Sequence, residues 1–390
     1  MKKIAEILLP ALAVLSPLMV FASDPYSEIC ETILYVDPAL KAQRVSSMAA
    51  LEAVRADNAL DNPEVEFGYK WGSPASADVN KWDLSVSQSF DWPGVYSARR
   101  RAIGFHSLAA QESTKAWILS RESEIRLLLV DYTAASRRAA LLEWFAANVD
   151  SLYSISAKAY DLRKITVLDF RKVRVERELA AAKLAEERTR MSAIASQLRS
   201  MNGNNPVDLS NISDYPSDVL GEFNPDAAPS LASARWNLEA ARADASAAYR
   251  SRMPGFSLGY VHEVEGREHF NGFSIGLSLP IWKGRKENIA ARMLAEAEAE
   301  SLASRHRQLE AEYSALRETA ISLSAQADRI SDAIGDNDEY LRLLDKALAG
   351  GTITLYQYFY EINTLLDARL TAEDLRAEAA RAAQTARRYM

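Results

Sequence analysis

The sequence predicts a mainly α protein with a small β part, built from two copies of one unit. In each unit, long coiled-coil helices carry a β-hairpin. Three observations predict this. Ala, Leu, Glu and Arg are abundant in a 390-residue chain that is 25% charged, the composition of long helices. Blocks of sequence recur in the same order in both halves. Two short stretches in each half alternate apolar and polar residues with the period of strands, against a helical background.

The copies align at one constant offset. Asn62–Tyr69 (NPEVEFGY) meets Met253–Tyr260 (MPGFSLGY), placing Pro63 on Pro254, Gly68 on Gly259 and Tyr69 on Tyr260. The same offset joins Pro38, Leu40 and Arg44 to Pro229, Leu231 and Arg235, and Trp82, Leu84, Val86 and Phe90 to Phe273, Ile275, Leu277 and Ile281. Farther on, Lys158-Ala-Tyr and Ile165-Thr-Val meet Lys346-Ala-Leu and Ile353-Thr-Leu at an offset smaller by three. Blocks repeated in one order mark a duplication.

The elements follow in order. Residues 1–22 read as a secretory signal: Lys2 and Lys3, an apolar run, and Val-Phe-Ala before Ser23, with cleavage expected after Ala22. Glu6, Pro10 and Pro17 disfavour a spanning helix there. The single cysteine, Cys30, does not sit at the cleavage point. No lipid anchor, disulfide framework or CxxC metal site is therefore expected. After residue 23 no apolar run approaches the roughly 18 residues of a spanning helix, so entry into a membrane would have to be by strands.

The first repeat covers residues 23–201. It opens with a helix over Pro38–Asp61 and continues with a β-hairpin within 64–90, strands Glu64–Trp71 and Asp83–Phe90. A long helix over Tyr96–Leu162, a turn near 163–166 and a returning helix from Val167 to about Ser200 complete it. Residues 202–229, rich in Asn, Asp, Ser and Pro, form a linker or equatorial segment. The second repeat, residues 230–390, has its opening helix over Pro229–Arg252 and its hairpin within 256–281, strands Phe256–Val264 and Gly272–Ile281. Its long helix is expected over Arg285–Ala349, its turn at 350–354 and its returning helix from Leu355 to about Arg388. Gly350 and Gly351 mark the second turn, because paired glycines end helices and permit φ > 0. Arg163 and Lys164 hold the matching place without a glycine.

Helix lengths agree with this reading. About 67 helical residues span roughly 100 Å, and the returning and opening helices together, roughly 50 Å and 36 Å, nearly match them. Leu302, Leu309, Leu316, Leu323 and Ile330 recur at heptad spacing, with Tyr313, Ala320, Ala327, Ile334, Leu341 and Leu348 as a companion row. Ile118, Ile125, Tyr132, Ala139 and Ala146 repeat the interval in the first copy. This is coiled-coil packing.

The strands raise the question of what they face. Phe256, Leu258, Tyr260 and His262 share one side, and Phe273, Ile275, Leu277, Leu279 and Ile281 share one side of the next strand, opposite Ser274, Gly276, Ser278 and Pro280. Strands of about 9–11 residues with apolar-out, polar-in alternation fit a transmembrane barrel. Trp71, Trp82, Trp92 and Trp282 fall at strand ends, where aromatic girdles meet lipid headgroups. A small β-sandwich packed on the helices would show the same alternation. Four strands cannot close a barrel when the smallest have about eight, and an open edge in lipid leaves costly unpaired backbone groups. A membrane reading therefore needs more than one chain, a dimer supplying eight strands or a trimer twelve.

These residues resemble the TolC-like outer-membrane efflux family, over nearly all of the chain from about Asp37 to Tyr389. The resemblance rests on the duplicated unit, on NPEVEFGY, SQSFDWPG and SIGLSLPIWKGR, and on the Gly-Gly-Thr-Ile-Thr-Leu turn ahead of Asp367-Ala368. Gln88–Pro93 (QSFDWP) is similar to members in heavy-metal efflux systems. The resemblance implies a homotrimer in which a twelve-stranded β-barrel in the outer-membrane lipid joins an α-helical barrel in the periplasm. It implies docking to a periplasmic adaptor (membrane fusion) protein and an inner-membrane transporter of RND or related type. It also implies that the turns form a periplasmic tip where acidic side chains ring the closed entrance. Asp169 holds that place after the first turn; Gln357 and Tyr360 hold the matching places after the second, with Glu361 alongside. That departure from acids puts a strongly cation-selective constriction in question.

Enzyme chemistry has little to build on. His106, His262, His269 and His306 show no HExxH or similar spacing, and no Gly-rich phosphate loop, GxSxG or cysteine nucleophile is present. His262-Glu263 and Glu268-His269 flank one loop and read as solvated residues rather than metal ligands. No cofactor is expected. A net charge of −7 with mixed signs gives no nucleic-acid surface. The function expected is a passive channel in a tripartite efflux system. The same architecture serving type I protein secretion, or a periplasmic coiled-coil scaffold without a pore, are the alternatives.

Overall fold

The structure is a computed structural model that describes residues 24–389 except 73–78, 217–219, 281–282 and 336. The segment expected to be a signal, residues 1–22, and Ile281 and Trp282 thus lie outside the described residues. The elements, in order, are α1 (Pro25–Val36), α2 (Pro38–Ala56), β1 (Glu64–Gly72), β2 (Val79–Phe90), α3 (Pro93–Asp161), α4 (Val167–Met201), α5 (Pro229–Arg250), β3 (Gly255–Glu265), β4 (Glu268–Ser278), α6 (Lys283–Ile334), α7 (Asn337–Ala349) and α8 (Leu355–Ala386). A 3-10 turn, Arg387–Tyr389, follows. The contacts divide into two compact units. One holds the chain through Pro38, Glu124–Val219 and Ala320–Gln384; the other holds Ala39–Ser123, Leu220–Thr319 and the segment from Thr385.

The first unit begins with α1, which the sequence reading left unassigned. Asp24 caps it, accepting a hydrogen bond from the Tyr26 amide at 3.2 Å, and Pro25 sits in its first turn, where a missing N–H costs nothing. Pro38 ends it, since the residue before a proline is pushed out of the helical region; Asp37 has ψ 117°. Tyr26, Cys30 and Ile33 lie on one face and pack with Ile125, Leu129, Ile194, Leu198 and Ile212. Arg126 is only 2% exposed. It donates to Asp24 Oδ2 at 3.0 Å and to Ser27 Oγ at 2.7 Å, the pairing a buried cation requires. Burial pushes the Tyr26 hydroxyl up to about 12, partly offset by its 2.6 Å hydrogen bond with Thr133. A second core in this unit joins Leu142, Phe145 and Val149 of α3 and Val173 of α4 to Tyr358, Phe359, Ile362 and Leu366 of α8.

The second copy does not have the single long helix expected over Arg285–Ala349. The helix is broken into α6 and α7 at Gly335, whose φ is +62°, a left-handed conformation that only glycine adopts without strain. Ala147 occupies the corresponding place in the first copy, and α3 runs unbroken for 69 residues. The heptad rows are otherwise buried or half-buried as expected, Ile125 and Ala327 at 0%.

The second unit has a small core of Ala228, Leu231, Leu309, Tyr313, Ala386 and Tyr389, and one four-stranded antiparallel sheet in the order β1-β2-β3-β4. The two hairpins thus pair with each other through β2 and β3. Within the sheet β1 and β4 are the edges, each with one strand neighbour.

Candidate channel wall and turn sites

The register fixes the two faces of the sheet. Directly paired residues point the same way, so Val65, Val86, Tyr260 and Phe273 form one row across all four strands. Phe67, Leu84 and His262 continue that face in one direction, and Leu258 with Ile275, then Phe90, Phe256 and Leu277, in the other. It is exposed in the chain: Phe273 is 89%, Ile275 81% and Leu277 69% accessible. The opposite face carries Glu66, Ser85, Val261 and Gly272 in one row, and Ser87, Gly259 and Ser274 in another. A polypeptide that shows its largest apolar side chains to solvent over a whole sheet face leaves that face to be covered.

Aromatic side chains gather at both ends of the apolar face. Trp82 stands 6.2 Å from Phe67 and 5.5 Å from His262, and Tyr69 stands 6.1 Å from Trp71, centroid to centroid. Phe90 and Phe256 stack at 5.2 Å near the other end, where Trp92 is 49% exposed. From Trp82 to Phe90 along β2 is roughly 26 Å at about 3.3 Å per residue; at the roughly 35–45° tilt of strands in a transmembrane barrel such a length rises about 20 Å of a band roughly 25 Å tall. No helix among the described residues is long and apolar enough to cross a membrane, which says nothing of the strands. His262 and His269 stack 5.7 Å apart, with His262 Nδ1 2.8 Å from Asn271 Oδ1. Among the described residues no group of three or more metal-ligating side chains is assembled.

The two turns prove to be one motif made twice. After α3, the Lys164 amide donates to the Ala159 carbonyl at 2.8 Å and the Arg163 amide to Tyr160 at 2.8 Å, with Arg163 at φ +56°. After α7, the Thr352 amide donates to Ala347 at 2.9 Å and the Gly351 amide to Leu348 at 3.1 Å, with Gly351 at φ +71°. Both are Schellman endings, so Arg163 takes the left-handed place that glycine fills in the other copy.

Each turn then opens the next helix with a capping box. The Asp169 amide donates to Thr166 Oγ1 at 3.1 Å, while Asp169 Oδ2 accepts from the Thr166 amide at 3.3 Å and hydroxyl at 2.7 Å. Gln357 does the same with Thr354, at 3.2, 2.9 and 3.1 Å. The two residues singled out after the turns therefore have a local structural task, one that Thr-x-x-Asp and Thr-x-x-Gln would have disclosed in the sequence. Tyr360 is 62% exposed, and Glu361 accepts from the Tyr340 hydroxyl at 2.7 Å, which holds the Tyr340 hydroxyl pKa above its ordinary value. Tyr358, buried and hydrogen-bonded to Asp345 at 2.7 Å, is shifted the same way. Lys172 Nζ lies 3.8 Å over the Tyr356 ring, tying α4 to α8 beside the turns.

No protein-family model matches the chain, and no curated protein resembles it in sequence. Solved structures do match it closely in fold. The CusC structure, described in terms of folding and transmembrane channel formation, is 16% identical with a TM-score of 0.76, covering 94% of this chain and 92% of its own. The Campylobacter jejuni CmeC outer membrane channel is 14% identical with a TM-score of 0.73, over 93% and 85%. The Vibrio cholerae outer membrane protein VceC is 14% identical with a TM-score of 0.73, over 93% and 95%. The chain has the fold of TolC-like outer-membrane channels over nearly its whole length.

Proposed function

We propose that the protein is an outer-membrane channel that passively conducts substrates out of a Gram-negative cell, without a catalytic centre. The observation that carries this is the sheet: one face apolar and exposed, the other polar, with two edge strands that a single chain cannot join. Three copies would supply twelve strands, closing the edges β1 to β4 between neighbours and putting the apolar face in lipid. The helices would extend into the periplasm, where the turns at Arg163 and Gly351 meet an adaptor protein fed by an inner-membrane pump of RND or related type. In this reading Asp169, Gln357, Tyr360 and Glu361 surround the entrance, and the capping boxes hold the turns shut. Known channels of this fold support the assignment. The exposed Phe273 and Ile275 oppose a soluble scaffold.

The test is fractionation followed by planar-bilayer recording. The protein is expected in the outer membrane and released only by detergent. It is expected to conduct in discrete steps, with more frequent opening when Asp169→Ala and Gln357→Ala weaken the caps. Recovery as a water-soluble monomer, or silence of the wild type and the cap variants alike, overturns the proposal.

A further inference from the structure

The polar face of the sheet is not uniform along its length. Near the β3–β4 turn it carries two consecutive rows with charge: Asp83 and Glu263, between Gly68 and Phe270, then Lys70, Lys81, Glu265 and Glu268. Farther along, the central strands show Ser85, Ser87 and Ser89 on β2, and Ser257, Gly259, Ser274 and Gly276 on β3 and β4. On β2, β3 and β4 charge is thus gathered at the end where the strands turn back, the rest of the face being Ser and Gly apart from Val261, while β1 carries Glu66 and Glu64 farther along the same face.

The charged end is also held in place. Lys81 Nζ pairs with Glu263 and lies 3.7 Å from Glu265 Oε2. Lys70 Nζ lies 3.3 Å from Asp83 Oδ1. Gly68 leaves the space Asp83 occupies, since a Cβ there would stand 2.6 Å from Asp83 Oδ1. Two lysines face four carboxylates in these rows, a surplus of two negative charges per chain. Each further copy in a closed barrel would add the same surplus to one ring.

We infer that this collar is a cation-selecting outer mouth: Lys81 restrains its field, and Glu263 and Glu265 supply it. The inference rests on the reading of the polar face as a pore wall. It adds a second determinant of cargo charge, separate from the turns at Arg163 and Gly351. A ring of carboxylates at the rim of a low-dielectric wall concentrates cations and repels anions. The effect is strong only while the Debye length, about 30 Å at 0.01 M salt and about 3 Å at 1 M, reaches across the opening.

The test reads local potential rather than conduction, so a closed tip does not obscure it. Ser85→Cys, combined with Glu66→Gln because Glu66 is its direct partner on β1, places a thiol one row inside the collar, and the native Cys30 is only 1% exposed. In proteoliposomes, thiosulfonate reagents bearing trimethylammonium or sulfonate are compared. At 0.01 M salt the cationic reagent is expected to react about tenfold faster, the preference disappearing at 1 M. Lys81→Gln is expected to raise the ratio and Glu263→Gln with Glu265→Gln to lower it. These opposite shifts cannot both come from misfolding. A ratio near one at low salt, or one indifferent to all three substitutions, overturns the inference. Phe273→Cys separates that result from failure of the pore reading itself: labelling of residue 273 with residue 85 protected would mean that the polar face lines no pore.

Discussion

At the scale of single residues, Arg163 is the most telling departure from the rule the other copy follows. It holds φ +56° where Gly351 holds +71°, and a left-handed conformation costs an L-residue about 1–2 kcal/mol. The strain is imposed by the two hydrogen bonds that close the turn and by the Thr166 cap beyond it. Arg163→Gly is expected to stabilise the protein by about 0.5–1 kcal/mol, the relief being partly offset by the greater freedom of glycine in the unfolded chain. Gly351→Ala, with open space around its Cβ, is expected to destabilise by about 1 kcal/mol through φ alone. Thermal unfolding of the two variants checks both signs. If the turns gate a channel, a retained arginine in a strained position keeps one turn easier to open than a glycine would.

At the scale of elements, the sheet separates apolar from polar chemistry residue by residue. Ile275 is 81% exposed on the apolar face and Ser274 is its neighbour on the polar one. Ile275→Arg is expected to cost about 2–4 kcal/mol of membrane-folded stability and Ser274→Arg much less, measured by urea unfolding in lipid vesicles. Equal costs would mean that the two faces have the same surroundings. The alternation behind this prediction is legible in the sequence because period two survives any tertiary context that buries one face. The strand limits were less so. β4 starts at Glu268 rather than Gly272, because a two-residue turn with Gly266 at φ +62° pairs Glu265 with Glu268; Glu268, His269 and Asn271, with Phe270 among them, break the apolar–polar alternation and hid the pairing. The break at Gly335 escaped the heptad reading because Ile334 and Leu341 keep the spacing on either side of it. In α1, Asp24-Pro25 and the spacing of Tyr26, Cys30 and Ile33 were available signals. The capping boxes were equally visible as Thr166-x-x-Asp169 and Thr354-x-x-Gln357, which engage the Asp169 carboxylate with its own backbone rather than leave it to a charged ring.

At the scale of the whole molecule, the two edge strands make the strongest demand on assembly. Each presents a row of backbone groups that one chain does not satisfy, and in a bilayer every such group costs several kcal/mol. A cyclic arrangement with β1 of one copy against β4 of the next removes all edges with a single repeated interface. Cysteines introduced one at a time along β1, each combined with Ile275→Cys on β4, are expected to form disulfides between chains at a restricted set of positions spaced by two residues, since only residues on the same face approach. The cross-linked ladder in detergent is expected to stop at three chains. A ladder ending at two would point to an eight-stranded barrel instead. Cross-links confined within one chain would mean that β1 and β4 close on each other and that the apolar face is covered in some other way. The Ser/Gly surface on the polar side of β3 and β4 gives the closure a further constraint. Ser257 and Ser274 lie over Gly276 and Gly259, where an added Cβ would stand 2.4 and 2.5 Å from a serine Oγ, so the wall is close-packed there before any neighbour arrives. A bulky residue at Gly259 should therefore disturb the fold of each chain before it disturbs the number of chains.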